Sequence, residues 1–447
     1  IHFSKRFNCS VCIDSEVEGD DPGRRICPDR ETCLAAAEAM KEIHRLEGDM
    51  GNFRFTVSFL CDGRTPFFPA SFFNVAEAAQ DARAAKQTHA IRKGLQNEND
   101  HDDCYAFNYS ENRPRDVDSN EKSTNVKIGD DLSSFRGISV GLENGDLLFV
   151  SCFGADSCSE ASQNLESTLK QVLPPINEVM MEVCDIINKK DDEKAGADTH
   201  SNARLKLEWF GIDASVNPGL SPVDSVAAGI ESILFLDTSN GKDSKGMSGG
   251  GAGPNEVAAM MAPSKTRDAR GGFDVRFGQF GTLAAVSAIT SPLKKVKSLC
   301  DKFNNPNILS DLHEVRKLGN EEFEDVRMVG YCGLMLPVME DVVLAGRAAG
   351  RCINPGEQAS GRSSYSLRDL LTFSSVCGVG LDTVPVPGDI TASQLAAVYT
   401  ETGALAYRLR KPLSCRLLPM TGLGSGDMTT VTPEQNPYLP NTSVFEI

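Results

Sequence analysis

The residues best placed for chemistry are polar ones set inside glycine-punctuated apolar runs. The densest is SSVCGVGLDTVPVPGD (374–389), where Cys377 is followed by Gly378 and Gly380 and then by Asp382. A thiol beside free loop N–H groups can ionise and act as nucleophile or acid/base. An aspartate close by can carry a proton. The run GIDASVNPGLSPVDS (211–225) leaves a strand, turns at Asn217-Pro218-Gly219 and starts a helix with Ser221 as N-cap and Pro222 at its first position. Such strand-to-helix turns are where α/β proteins hold ligands, and a helix N-terminus offers N–H donors to an anion. Ser215, Asn217, Ser221, Thr282 in FGQFGT (277–282) and Gly378 are therefore candidates for holding an anionic substrate. Plain capping by Ser221 and Asp224 explains the second run equally, and Cys377 also reads as a small buried hydrophobe between glycines.

Asp213, Asp224, Glu340, Asp341, Asp382, Asp389 and Asp427 all fall at element ends or glycine turns. If several converge on one sheet end, a hard divalent cation such as Mg²⁺ or Ca²⁺ is their natural ligand. Taken singly, each is a cap or turn residue. Other motifs fail on context. Cys9-x-x-Cys12 with Cys27 and Cys33 suggests zinc, but strand residues three apart point to opposite faces. Gly246-Met247-Ser248-Gly249-Gly250 lies in a glycine-rich stretch without the strand a nucleophile elbow needs. Ser291-x-x-Lys294 carries Pro292 and neighbouring lysines, as a helix end or surface loop does. Six histidines, with His101 and His200 in polar stretches, argue against a Ser-His-Asp hydrolase.

The elements that must position these residues alternate along the chain. Strand patterns occupy 5–14, 53–60, 205–212, 325–336 and 413–418, with a hairpin over 137–150 turning at Glu143-Asn144-Gly145-Asp146. Helical patterns cover 29–46, 75–93, 159–189 (kinked at Pro174-Pro175), 278–303, 338–350, 366–375 and 392–410. The phenylalanine-rich segment 64–73 is too apolar for a free loop and forms a core or pocket wall. Polar stretches at 95–131, 189–202 and 237–272 read as flexible insertions on one α/β domain spanning 1–447, with a largely parallel sheet or barrel. With 45 basic against 62 acidic residues the chain carries a net charge of −17 and repels phosphate backbones, so nucleic acid is not an expected partner. No apolar run is long enough to span a membrane. Fourteen scattered cysteines suit a reducing compartment: the cytoplasm, or an organelle matrix if a targeting peptide was removed before Ile1. A homo-oligomer is the general expectation for a soluble enzyme.

The block SSVCGVGLDTVPVPGD, together with GYCGLMLPVMED (330–341), IDASVNPGLSPVDSVAAGIE (212–231) and RLRKPLSCRLLP (408–419), resembles the domain-of-unknown-function 711 family, also called uncharacterised protein family 0210. TPFFPASFF (65–73) and ISVGLEN (138–144) are similar to further blocks, so the resemblance runs from Phe53 to Asp427 outside the polar insertions. It implies a fold similar to pyruvate formate-lyase, a large α/β barrel penetrated by a loop. It brings no established reaction, and it implies a small ACT-domain protein as a partner, since bacterial relatives accompany one. In glycyl-radical enzymes a cysteine on the penetrating loop attacks substrate, and Cys377 is its counterpart by resemblance. The radical glycine should lie in an R-V-S-G-Y-like string near the C-terminus. The one approximation, Arg327-Met328-Val329-Gly330-Tyr331, lies upstream of Cys377, and Gly422–Gly426 lacks the flanking Arg and Tyr. The expectation is a small-molecule metabolic enzyme with a Cys/Asp-lined site at the barrel mouth and no glycyl radical. The alternative is a non-catalytic binding or assembly protein on the same barrel, using its acidic insertions as partner surface.

Overall fold

The computed structural model describes residues 9–13, 15–16, 27–61, 65, 67, 70–71, 136–142, 144–153, 155, 157–195, 206–219, 221–234, 276–303, 325–351, 359–376, 378–432, 434–436 and 439–447. The chain opens with β1 (Cys9–Ile13), an antiparallel pair of short strands, β2 (Ser15–Glu16) and β3 (Cys27–Pro28), and helix α1 (Arg30–Glu47). Asp29 starts α1 by accepting the N–H groups of Glu31 and Thr32, and Gly48 ends it at φ +74°. A 3-10 turn (Gly51–Arg54) leads into β4 (Phe55–Phe59), followed by β5 (Ala70–Ser71). Next come β6 (Arg136–Gly141), α2 (Gly145–Cys152), α3 (Cys158–Ala195), β7 (Leu207–Asp213) and α4 (Val226–Leu234). The last part holds α5 (Thr282–Phe303), α6 (Val342–Ala348), α7 (Leu367–Val376), β8 (Gly380–Pro387), α8 (Ala392–Leu409) and β9 (Leu413–Met420). Among the described residues no helix is long and apolar enough to cross a membrane.

Among the described residues, the strands beyond the β2-β3 pair form a five-stranded sheet, β5-β1-β4-β9-β8, and a separate parallel pair, β6-β7. Isolated parallel bridges connect them. Met328 pairs with Ile212, Leu334 with both Val216 and Gly378, and Pro337 with Asp382, so segment 328–337 lies between β7 and β8. All neighbouring pairs in this ladder are parallel except β4 with β9, which meet antiparallel at Val57 and Cys415. The ladder is thus two parallel halves joined at a single antiparallel seam.

Its two faces differ. Phe55, Val57 and Phe59 of β4, Leu413, Cys415 and Leu417 of β9 and Val384 and Val386 of β8 join a core with Met40 of α1 and Leu395 and Tyr399 of α8. The alternating positions Ser10, Thr56, Ser58, Ser414, Asp382 and Asp213 are polar and equally buried. A smaller cluster of Cys12, Cys61, Tyr331, Met335 and Val379, with Phe67 against it, lies apart from the main core, and Tyr331 reaches the polar face by donating its hydroxyl to Ser58 Oγ at 3.3 Å. The end of β9 is covered by the C-terminal tail, where Leu418 and Met420 pack with Val431, Leu439 and Val444.

Several expectations require correction. Residues 137–150 are not a hairpin: β6 pairs in parallel with β7, and the expected turn is the start of α2. Gly145 is there for close packing, since a Cβ on it would lie 1.9 Å from the Asp224 carbonyl oxygen. Asn144 is engaged by the N–H of Asn217. Helix α3 runs through Pro174 and Pro175 and on to Ala195, into the stretch expected to be a polar insertion from residue 189. Residues 325–336 make bridges in place of a regular strand, because Gly330 and Cys332 turn the backbone to φ +69° and +44°. The expected helix at 75–93 and the insertions at 95–131 and 237–272, with the Gly246–Gly250 motif, lie outside the described residues.

Gly380 sits at φ +120°, and a Cβ there would fall 1.9 Å from the Ser414 carbonyl oxygen. Gly380→Ala should therefore lower stability by about 2–4 kcal/mol, read from urea unfolding. An unchanged midpoint would mean that β8 and β9 do not meet in this register.

Candidate functional site

Asp213, at the end of β7, is fully buried and saturated. Its Oδ1 accepts from Ser215 N (3.0 Å), Ser215 Oγ (2.6 Å) and Cys332 N (3.1 Å). Its Oδ2 accepts from Thr65 Oγ1 (2.5 Å) and Tyr331 N (3.1 Å). Ser215 Oγ in turn accepts the N–H of Gly333 at 3.3 Å. The turn at Gly330 wraps this carboxylate so closely that a Cβ would stand 2.1 Å from Oδ2. Asp213 and Ser215 therefore fasten the irregular segment to β7.

Asp341 joins two helices. It is the N-cap of α6, where Oδ1 accepts from Val343 N and Leu344 N at 2.9 and 3.0 Å. It also accepts Ser225 Oγ at 2.6 Å and, at the start of α4, Val226 N and Ala227 N at 2.8 and 3.3 Å. Burial raises its carboxyl, and Ser225 and the backbone donors pull against that rise.

The other expected residues are each engaged locally. Asn217 N–H goes to Asn144 Oδ1, and Ser221 donates to Asp224 Oδ2 at 2.8 Å. Thr282, buried at the start of α5, accepts the N–H of Gly278 at 3.1 Å. Gly378 packs on Ser374, where a Cβ would meet Oγ at 2.9 Å. Asp389 is exposed after β8, and exposed Asp427 accepts Gly424 N–H at 2.8 Å. Cys12 and Cys33 enter different clusters. Among the described residues no three His, Cys, Asp or Glu side chains gather to hold a metal ion. Cys377 lies outside the described residues.

Two expected residues do meet, around one that composition and motif reading passed over. Arg416 of β9 donates from Nε to Asp382 Oδ1 and from Nη2 to Glu340 Oε1, both at 2.6 Å. Its Nη1 reaches the Phe53 carbonyl oxygen at 3.0 Å, and its guanidinium lies 5.1 Å from the Phe53 ring centroid. The Asp382 side chain is 2% exposed and that of Glu340 24%. β8 is irregular at this point: its register against β9 shifts between Leu381 and Val384, and Thr383 adopts φ +42°. Bulges and left-handed non-glycine residues concentrate at functional sites, where they re-aim a side chain. Burial raises both carboxyls, against the pull of Arg416, and the Asp382 charge lifts Glu340 further. The two carboxylates outweigh the cost of burial at Arg416 and hold its pKa up. The sequence signal for Arg416 was a single charge at an alternating position of an otherwise apolar strand, LSCRLLPM.

Residues 310–432 match the family model described as Uncharacterised ACR (DUF711). Glu340, Asp382 and Arg416 all fall within this DUF711-like region. The chain is 37% identical over 98 residues to a UPF0210 protein of Pyrobaculum aerophilum, covering 22% of this chain and 19% of the relative. It is 32% identical over 120 residues to a UPF0210 protein of Oleidesulfovibrio alaskensis, covering 27% and 24%. A UPF0210 protein of Listeria monocytogenes is 31% identical over 99 residues, covering 22% and 19%. The alignments thus span 19–24% of the length of these curated relatives, and the family model matches in the C-terminal part of this chain.

Asp341→Ala removes the acceptor shared by two helix starts and should cost about 2–4 kcal/mol in chemical denaturation. A loss under about 0.5 kcal/mol would show that water replaces the carboxylate. The raised carboxyls give a pH signature. Between the unfolded values near ~4 and the higher folded ones, the folded chain binds more protons, so the pair's contribution is full at low pH and falls as pH rises. Glu340→Gln loses an ion pair but also removes this titration, so its stability relative to the parent should climb from about pH 4 towards neutrality. A difference that stays flat would mean that burial and the pull of Arg416 cancel at Glu340, and one that falls would mean that Arg416 holds the acids ionised.

Proposed function

We propose that the two-halved ladder closes into an α/β barrel of the pyruvate formate-lyase-like kind, and that its inner face binds and transforms a small polar molecule. The observation that supports this is the alternation along the strands. One face is apolar and carries the helices, while the other buries Ser10, Thr56, Ser58, Asp213, Ser414 and Asp382. An inner face of this composition suits a hydroxyl- or amine-bearing ligand. Cys377, adjoining the bridge at Gly378, is the proposed nucleophile, and Asp382, paired to Arg416, the proposed proton carrier. This reading involves no glycyl radical, because the one string resembling the radical site, Arg327–Tyr331, precedes Cys377 in the chain instead of following it.

A second reading, a non-catalytic binding or assembly protein, draws support from Asp213 and Asp341, whose carboxylates are wholly engaged in joining elements.

Two measurements separate the readings. Native against denatured mass of the as-purified chain should show a bound small molecule. Mild iodoacetamide treatment should label Cys377 ahead of the buried thiols: burial pushes Cys33 up to about 11, and Cys152 and Cys415 higher still. Ligand should protect Cys377. A bare mass with Cys377 inert until denatured would overturn the enzyme reading in favour of the second.

A further inference from the structure

The Glu340–Arg416–Asp382 cluster has one idle acceptor. Asp382 Oδ1 is held by Arg416, but Oδ2 is buried and, among the described residues, no donor reaches it in good hydrogen-bonding geometry, although the adjacent Thr383 N–H favours the charged carboxylate. A buried carboxylate oxygen without a donor is costly, and in a structure whose other buried aspartates are saturated it marks a place where something binds. The chemistry of that occupant is constrained on three sides. Arg416 already reaches both carboxylates and the Phe53 carbonyl, so its charge is not offered to an anion. Fully ionised, the two acids exceed the one base by a single negative charge, which a monocation would neutralise and a divalent cation would overshoot. A divalent ion also needs six or more oxygen ligands, and no third metal-binding side chain joins the pair among the described residues.

We infer that Asp382 Oδ2, backed by Glu340, is an acceptor site for a primary ammonium group. The N–H donors of such a group supply the directional bond that Oδ2 lacks, and its charge balances the cluster. Glu340 is the more open side of the cluster, its side chain 24% exposed against 2% for that of Asp382. The bulge at Leu381–Val384 and the left-handed Thr383 fix the direction in which the carboxylate points. The inference rests on the proposal that the inner face holds a small polar substrate, and it specifies that substrate as an amine.

The test is the melting temperature of the full chain titrated with methylammonium chloride at constant ionic strength. Tetramethylammonium chloride, with the same charge but no N–H donors, is the control. Methylammonium should give a saturable rise and tetramethylammonium none. Asp382→Asn should abolish the saturable response, Glu340→Gln should weaken it about tenfold, and exposed Glu401→Gln should leave it intact. An equal rise with both salts, a response to MgCl2 alone, or a saturable rise that survives Asp382→Asn would overturn the assignment. If Asp382→Asn does not fold, Glu340→Gln decides, since unchanged half-saturation there is equally fatal. A neutral or acidic bound mass in the native spectrum, with no methylammonium response, would leave the inner-face reading standing and remove the amine.

Discussion

Backbone N–H groups inside a protein must find acceptors, and those of the irregular segment between β7 and β8 cannot all find them in a strand ladder. A regular strand would exchange them with its neighbours. Segment 328–337 makes only isolated bridges, so Tyr331, Cys332 and Gly333 turn instead to Asp213 and Ser215. A few residues later Asp341 does the same for the starts of α4 and α6, whose first N–H groups have no partner inside their own helices. These aspartates are the joints at which helix, strand and turn are locked in place. Their carboxylates are fully engaged, which leaves them little capacity for a metal or substrate.

That engagement changes how the acidic residues at element ends should be read. Placement at a strand end or glycine turn is common to Asp213, Asp341, Asp382 and Asp427, yet their surroundings differ. Asp427 caps an exposed turn, Asp213 and Asp341 bind elements together, and Asp382 alone of the buried ones shares an arginine and keeps an oxygen idle. Sequence position identifies where a carboxylate can sit. Whether it is available depends on how many N–H groups the neighbouring backbone leaves unsatisfied, which only the packing reveals.

Much of the architecture was legible because burial writes itself as periodicity. Helices α1, α5, α7 and α8 and strands β4, β7 and β9 fall within a few residues of their apolar patterns. The failures have physical causes. Asn-Gly at 144–145 is the usual hairpin signal, but here the glycine permits contact with the Asp224 carbonyl and the next residues are helical. Two consecutive prolines usually stop a helix, yet α3 continues through them, packed against β7 and α5. At the site, Asp382 and Glu340 stood out as acids in glycine- or proline-rich strings. Arg416 did not, because one arginine in a strand carries no motif, and its role depends on a register between β4, β8 and β9 that joins residues far apart in the chain.

The register explains why the residue at 416 is an arginine. β9 is the seam strand, antiparallel to β4 on one side and parallel to β8 on the other, and its side chain must reach groups set at different heights. A lysine offers one ammonium and could satisfy one carboxylate well. The planar guanidinium places separate donors on Asp382, Glu340 and the Phe53 carbonyl while its face rests on the Phe53 ring. It therefore joins both halves of the ladder across the seam. The strain of Thr383, of the order of 1–3 kcal/mol for a left-handed residue, is tolerated in a strand otherwise pinned by close backbone contact at Gly380 and by this arginine. The same clamp that secures the seam thus holds Asp382 rigid with its second oxygen free, so stability and any chemistry at this carboxylate share one set of contacts.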